Sequence, residues 1–414
     1  ALQDYESEQT GIDVNSREEA LDEYGVGQNC ASVSSLPSSE NDATENSLPS
    51  SGIDVSESNF PSSGNDPEST LPCSEDDTLR VKEVVVHRTT IRSDMIEIFK
   101  DSNVLEFLLD FTVLDANGQK EKGKGKGVQR DVLTQFWHEF FTVLATGSSE
   151  KTPYIRHDHQ KLQREAIARI IVYGYTVAGY FPLQLSQMFI STCLFGEDGL
   201  TKPVLLSSFR SFITGEDREI FDLCLSDDFD PESKDILDFL SIYHCYKKPT
   251  KENMEKILFE LAHQELVQKP RYIVNCWAPI LSMLQVHAAF QTRQSLADLY
   301  ESKRPTSRKI IKLFEAETQS ECEKQSLDHL KRYVRSLEGK ALERFLHFLT
   351  GSDVITCEHI TVEFNSLDGI QRRPVVHTCG PMLELPTTYE SYTELAEEFS
   401  NIMRSEQAWS FDIV

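Results

Sequence analysis

Apolar residues recur three or four positions apart over much of the chain after residue 79, which is the spacing of one face of an α-helix. One helix is predicted from residue 128, and five further helical stretches are predicted between residues 153 and 300. The apolar positions and stretches are Val128, Val132, Phe136, Phe140 and Leu144, then 162–172, 220–225, 236–243, 254–266 and 277–290. Prolines and glycines between the stretches mark their ends.

Runs rich in β-branched residues predict strands on both sides of this helical region. The predicted elements are a strand at 81–91, a helix at 94–99, a strand pair at 104–114, helices at 309–314, 321–336 and 341–349, and strands at 360–364 and 373–376. A last helix is predicted after Pro386, because Ser391 and Glu394 form a capping box ahead of the apolar positions Leu395 and Phe399. The pattern predicts an α+β protein.

The first 78 residues differ from this body in composition. They contain 18 Asp or Glu residues against the single base Arg17, together with 16 serines and three aromatic residues. Such a segment buries too little apolar surface to offset the entropy lost on ordering, so we predict a disordered acidic leader at 1–78. The whole chain carries a formal net charge of −26 and no basic stripe with interleaved aromatics. This balance argues against nucleic-acid binding.

Cysteine and histidine usage suggests neither a disulfide framework nor a metal site. The nine cysteines include no CxxC pair, which is typical of a reducing compartment, and the first residues do not resemble a signal peptide. We therefore expect a cytoplasmic or nuclear location. The pairs His157/His159 and His244/Cys245 lack a second half at zinc-ligand spacing, so no metal and no cofactor are expected.

One uncharged stretch of 26 residues, 170–195, is long enough to span a bilayer. Pro182 lies near its middle and several polar residues follow, and the flanks lack the expected basic pattern. Two buried helices around Phe181-Pro182 are the better prediction, and no membrane association is expected.

The segment 372–399 places one cysteine, Cys379, where chemistry can use it. Val375 and Val376 favour an extended chain, and Gly380-Pro381 interrupts a strand just after the sulfur. A strand that extends to Cys379 would place His377 on the same face. Free cysteine is usually a small buried hydrophobe, but its histidine, glycine and proline neighbours here are typical of an exposed loop.

Positive charge is also predicted near this thiol. Arg372 and Arg373 lie at the start of the predicted strand, and together with His377 they favour a thiolate form of the cysteine. The sequence therefore makes Cys379 the candidate nucleophile.

Short motifs surround the cysteine in a fixed order: Pro374, His377-Thr378-Cys379, Leu383-Glu384-Leu385-Pro386 and Tyr389-Glu390-Ser391-Tyr392. They resemble the catalytic loop of the HECT-type ubiquitin ligases. Residues 345–352, which contain Thr-Gly-Ser, and Phe411, four residues from the end, are similar to further family features, as is Gly127-Val128-Gln129-Arg130-Asp131. The stretch from 352 to 379 is shorter than is usual in the family, and an aromatic cluster common before it is missing.

The resemblance implies a bilobal fold. Residues 79–304 correspond to a larger, mainly helical N-lobe that binds a ubiquitin-conjugating enzyme, somewhere within 181–246, and residues 305–414 to a smaller α/β C-lobe. A hinge is expected at 303–306.

The resemblance also implies a chemistry. Cys379 would accept ubiquitin as a thioester and pass it to lysines of protein substrates. His377, Thr378 and Glu384 would support the reaction in the catalytic loop, and Phe411 would hold the C-terminal tail. A packing or capping role fits each of these four residues equally well.

Three other functions are suggested by parts of the sequence or by the resemblance. A nucleotide hydrolase is suggested by Gly118 and Gly123-Lys124, but residue 125 is glycine where a magnesium-binding hydroxyl is needed. A cysteine protease needs a distant histidine and asparagine, and no pairing of that kind is indicated. A catalytically inactive HECT-like scaffold that binds a conjugating enzyme is the third; the intact Cys379 argues against it.

Overall fold

The first described strand begins directly after the acidic leader. In the computed structural model, residues 80–198 and 200–405 are described, so the predicted leader and Phe411 lie outside the described residues. The strands are β1 Arg80–His87, β2 Phe107–Leu114, β3 Ala145–Gly147, β4 Lys151–Pro153, β5 Phe314–Glu315, β6 Ile360–Asn365, β7 Val375–His377 and β8 Met382–Pro386.

Fourteen α-helices accompany these strands in the described part of the chain. They are α1 Ile91–Ile98, α2 Lys126–Val143, α3 Lys161–Ala178, α4 Gln187–Phe195, α5 Lys202–Phe212, α6 Gly215–Cys224, α7 Lys234–Ile242, α8 Met254–His263, α9 Arg271–Leu281, α10 Arg293–Lys303, α11 Ser307–Leu313, α12 Glu321–Ser336, α13 Gly339–Thr350 and α14 Tyr392–Arg404. The mixture of helices and sheet is consistent with the predicted α+β class.

Strands β1 and β2 pair in parallel, with α1 as the crossover between them. Their inward residues alternate with exposed ones, so that Val84 and Val86 are buried opposite Phe111 and Val113. The strand pair predicted within 104–114 is wrong, because residues 102–106 form a 3-10 turn instead. The Asp101 side chain starts that turn by accepting a hydrogen bond from the backbone N–H of Asn103 at 3.0 Å.

The largest hydrophobic cluster surrounds α2 and α3, which carry the apolar spacing noted in the sequence. Trp137 of α2 makes an edge contact with Phe140 at 4.9 Å between ring centroids, and both rings are fully buried. Helices α3 and α4 are the two buried helices predicted around Phe181-Pro182. Within the described residues, no helix is long and apolar enough to cross a membrane.

A second cluster joins α5 to α8. Leu205, Phe209, Phe239 and Leu258 form its fully buried centre, and the outer faces of these helices remain exposed. The cluster includes Met188 of α4, so these helices are anchored to the larger cluster through that element.

A third cluster lies under a four-stranded sheet of order β5-β6-β8-β7. Strands β5, β6 and β8 run parallel, whereas β7 pairs antiparallel with β8. Helices α12, α13 and α14 supply the apolar side chains that cover it. At the start of α14 the Ser391 hydroxyl accepts from the N–H of Glu394 at 3.3 Å, but the Glu394 carboxylate accepts from the N–H of Glu390, one residue before the predicted partner.

The change from the first cluster to the third falls near the predicted lobe boundary. Tyr300 belongs to the first cluster and Ile310 to the third. Val354, however, is part of the first cluster although it follows α13, so the turn after α13 is packed into the N-terminal half. The division of the body at residues 304 and 305 stays a prediction.

Candidate functional site

Cys379 lies in the turn of the β7–β8 hairpin, and its side chain is exposed. Strand β7 ends at His377, two residues earlier than a strand reaching the cysteine would require. Residues 378–381 form the turn, because Pro381 has no N–H to continue a ladder. The antiparallel register pairs His377 with Met382 and fixes the turn between them. The thiol is therefore presented at a hairpin tip, as an exposed-loop cysteine.

The loop between β2 and α2 lies against this tip. The Cys379 thiol donates a hydrogen bond to the carbonyl oxygen of Lys124 at 2.8 Å. Gly125 has a φ of +83°, and a Cβ atom there would be 3.3 Å from the sulfur. At Gly127 a Cβ atom would overlap the side chain of Thr378. The glycines of this loop thus permit the close approach of two backbone segments more than 250 residues apart.

Arg130 joins α2 to the turn that holds Cys379. Its Nε donates to the carbonyl oxygen of Thr350 at 2.7 Å, and its Nη2 donates to the carbonyl oxygen of Thr378. The side chain is buried, and this desolvation lowers the pKa of the guanidinium, while the nearby sulfurs of Cys357 and Cys379 oppose the shift. A buried cation is costly unless its donors are used, and here two of them hold the backbone of the C-terminal half.

The Thr-Gly-Ser turn after α13 fits into the same face of α2. Thr350 and Ser352 are fully buried, and the Thr134 hydroxyl donates to the carbonyl oxygen of Gly351 at 3.2 Å. Gly351 has a φ of +77°, and a Cβ atom there would lie 2.5 Å from the carbonyl oxygen of Gly127. The glycine is therefore required both by its conformation and by its neighbour.

A buried charge network lies beside these contacts. Asp131 accepts from His347 of α13 at 2.8 Å and from Arg88 at 2.5 Å, and Arg88 also pairs with Glu121 at 2.7 Å. Burial acts to raise the pKa of Asp131, but the charge of Arg88 and the hydrogen bond from His347 outweigh it and lower that pKa. The network ties α13 to the N-terminal half through an ionised carboxylate.

A second histidine pair crosses the same boundary. His138 of α2 lies 3.2 Å from Asp353, measured from Nε2 to Oδ2. The hydrogen bond to Asp353 raises the pKa of His138. Burial acts in the opposite direction but does not cancel this rise.

Three of the four supporting residues predicted from the sequence are grouped around Cys379. His377 and Glu384 lie across the hairpin, with Nε2 and Oε1 2.8 Å apart, and both are partly exposed. Thr378 faces Gly127 and is held through its carbonyl by Arg130. Phe411 falls outside the described residues.

Arg372 does not supply charge to the thiol as the sequence suggested. It pairs with Glu394 at 2.5 Å and lies 3.4 Å from Glu398, both on α14. The Arg372 guanidinium also lies over the Tyr389 ring, 4.8 Å from its centroid, and this contact helps to hold it beside α14. A cation that does act on the cysteine is Arg130. The sequence analysis includes it only within the family-like motif Gly127 to Asp131.

No described group of three or more His, Cys, Asp or Glu side chains is arranged to hold a metal ion. What the described arrangement offers is an exposed thiol, an adjacent histidine–carboxylate pair and a loop of lysines and glycines. These groups are suited to acyl transfer through sulfur.

The comparison with protein families agrees with this chemistry. Residues 290–412 match the family described as HECT-domain (ubiquitin-transferase), a span that includes the hairpin, the Thr-Gly-Ser turn and α10 to α14. No curated protein matches the sequence. The resemblance inferred from the motifs around Cys379 is confirmed for this part of the chain.

Proposed function

We propose that this protein, whose residues 290–412 carry a HECT-type domain, is a ubiquitin-protein ligase that works through a thioester on Cys379. The observation that carries the proposal is the position of this thiol, exposed at a hairpin tip within the matched domain, with the His377–Glu384 pair beside it. The partners are a ubiquitin-conjugating enzyme, ubiquitin and protein substrates. No cofactor is involved.

The first step is an exchange between two sulfurs. The Cys379 thiolate attacks the carbonyl carbon of the thioester that links ubiquitin to the conjugating enzyme, and the enzyme's own thiolate leaves. A cysteine is nucleophilic enough for this step without a full triad, because a few per cent of an ordinary thiol is ionised at neutral pH. The thiol must first leave the Lys124 carbonyl, to which it donates its hydrogen.

The second step transfers the acyl group from sulfur to nitrogen. A substrate lysine attacks the thioester, the amide bond forms, and the Cys379 thiolate leaves. The ammonium proton must be removed, and the proposed acceptor is Glu384, which lies on β8 just after the hairpin tip and 2.8 Å from His377. Thr378 acts through its backbone, which Arg130 positions.

The helices of the second hydrophobic cluster provide the surface for the conjugating enzyme. Residues 234–246 expose three large apolar side chains: Leu237 is 44% exposed, Ile242 61% and Tyr246 82%. Leu237 and Ile242 lie on α7, whose inner face is already packed, and Tyr246 follows that helix; exposed apolar side chains of this size favour a docking role. These residues fall within the region 181–246 that the family resemblance implies.

The proposal includes a bilobal body, with an N-lobe at 79–304 and a C-lobe at 305–414. The same cysteine must first meet the thioester donor and then the acceptor lysine, so the C-terminal half has to move relative to α2. The segment 303–306 between α10 and α11 is the proposed hinge. Phe411 is proposed to hold the tail against the lobes during transfer.

An inactive scaffold that binds a conjugating enzyme is the second candidate. The family match begins at residue 290, so more than half of the described body lies outside it. A diverged N-terminal half is compatible with binding without transfer.

A single-turnover assay separates the two. The protein is mixed with a conjugating enzyme already charged with ubiquitin, and the products are separated on non-reducing and reducing gels. We expect an adduct one ubiquitin heavier that disappears on reduction and in Cys379→Ala. Cys322→Ala is the matched control, because Cys322 is also an exposed free cysteine and should leave the adduct intact. No adduct across a panel of conjugating enzymes would favour the scaffold.

A further inference from the structure

The loop that covers the catalytic turn is rich in lysine. Lys120, Lys122, Lys124 and Lys126 alternate with glycine or acidic residues between β2 and the start of α2, and all four are exposed. The carbonyl of one of them, Lys124, accepts the hydrogen bond of the Cys379 thiol. The mechanism described above uses none of these amines.

We propose that Lys124 is an acceptor for the ubiquitin carried by Cys379, so that the protein modifies its own glycine–lysine loop. The proposal rests on the proposed function, because that function supplies the thioester. It assigns a modification site within the chain.

The distances permit the reaction. The Lys124 carbonyl oxygen is 2.8 Å from the sulfur, and standard backbone dimensions then place the Lys124 Cα within roughly 5 Å of it. A lysine side chain is a flexible four-carbon stem about 6 Å long, so its amine can reach the carbon bonded to the sulfur. Glycines at 123 and 125 on both sides of Lys124 give the backbone freedom to turn the side chain toward the thioester.

Several residues besides Lys124 and Cys379 hold the glycine–lysine loop against the Cys379 turn. Gly127 leaves room only for the Thr378 side chain, and Arg130 holds the Thr378 carbonyl from the first turns of α2. When the charged hairpin returns to α2 after loading, an acceptor in this position has a high effective concentration, which favours it over a lysine on a separate molecule.

The chemistry requires no further reagent. The neutral Lys124 amine attacks the thioester carbonyl carbon, a carbon–nitrogen bond forms, the carbon–sulfur bond breaks, and the Cys379 thiolate leaves. The proton released from nitrogen passes to Glu384, the carboxylate paired with His377, or to water. The product is an isopeptide bond that resists reduction.

The test uses the full chain charged in a single turnover. After the free conjugating enzyme has been quenched, the reduction-resistant product is digested, and the ubiquitin-derived remnant is mapped on the lysines. We expect Lys124 to carry the largest share of the remnant. We also expect Lys124→Arg to lower the amount of resistant product about fivefold or more for each thioester formed. Lys161→Arg, an exposed lysine at the start of α3, is the control that leaves this ratio unchanged.

Two readouts distinguish transfer within one molecule from transfer between two molecules. The rate constant should not change with protein concentration, and charged Lys124→Arg mixed with uncharged Cys379→Ala should not modify the latter. A thioester that forms normally but leaves no remnant on Lys124, or a rate that rises with concentration, would overturn the proposal. If no thioester forms at all, the proposed function itself fails, and with it this site.

Discussion

The Arg130 guanidinium donates a hydrogen bond to the carbonyl oxygen of Thr378, the residue directly before Cys379. This contact joins the first turns of α2 to the turn that holds Cys379 across 248 positions of sequence. Arg130 also holds the Thr350 carbonyl at 2.7 Å, so one buried side chain fixes two C-terminal segments against α2.

Arg130→Met should destabilise the protein by about 2 to 3 kcal/mol, because it leaves two carbonyl oxygens without their charged donor. Arg130→Lys should lose less, since a lysine keeps the charge but not the two-donor geometry. The measurement is the free energy of unfolding in urea. Arg308→Met, at an exposed position of α11, is the control and should change it by less than about 0.5 kcal/mol. Equal losses in the Met variants at both positions would contradict the role of Arg130.

Gly127→Ala tests the close approach of the glycine loop. Alanine normally favours a helix over glycine, but here the added Cβ meets Thr378, so we expect a loss of about 1 to 3 kcal/mol. Gly215→Ala at the start of α6 is a matched control, because nothing lies within 4 Å of its Cβ position. It should be neutral or stabilising by up to about 1 kcal/mol. If both variants were equally stable, the packing of Thr378 on Gly127 would be wrong.

The His138–Asp353 pair predicts a pH dependence. Its hydrogen bond raises the pKa of His138 in the folded state above the ordinary value of 6.5, so the protonated histidine stabilises the fold. This contribution is complete below the unfolded pKa and is lost as the pH rises through the raised folded pKa. From pH 6 to pH 8, the wild type should lose more stability than His138→Gln.

The control for this measurement is His359→Gln, which replaces an exposed histidine just before β6. It should follow the wild-type curve. A His138→Gln curve that coincides with the wild type over the same pH range would show that the pair contributes nothing.

Glu384→Gln should slow the transfer from Cys379 to a free amine by on the order of 10- to 100-fold at pH 7, because the amide cannot accept the ammonium proton. Single-turnover discharge of the thioester to free lysine gives this rate, and loading is measured separately. The defect should shrink at higher pH, where the amine is already neutral. Glu390→Gln, an exposed acid just before α14, is the comparison. A defect of constant size across pH would assign Glu384 to packing.

Local patterns in the sequence anticipate the elements that hold the site. The apolar spacing from Val128 predicts α2, and the Ser391 hydroxyl caps α14 as expected. Val375 and Val376 followed by Gly380-Pro381 predict a short strand that stops near the cysteine. These predictions succeed because each depends on neighbours a few residues away.

The contacts that complete the site depend on residues far apart, and the sequence does not reveal them. A glycine at 127 matters only because Thr378 packs on it, and the buried state of Arg130 depends on two carbonyls from different elements. The sequence does not predict strand β8, because Met382 to Pro386 is short and ends in proline. Its hydrogen bonds to β6 and β7 stabilise it as a strand. For the same reason the prediction that Arg372 supplies charge to the thiol is wrong, because its acidic partners lie on α14.

Residue 379 is proposed to carry the acyl group, and a trapped adduct tests this role most directly. Cys379→Ser, charged by a conjugating enzyme in a single turnover, should form an oxygen ester that survives reduction. We expect intact-mass measurement to show one added ubiquitin, and peptide mapping to place it on residue 379. An adduct mapped to another residue, or none with a conjugating enzyme that charges the wild type, would contradict the account.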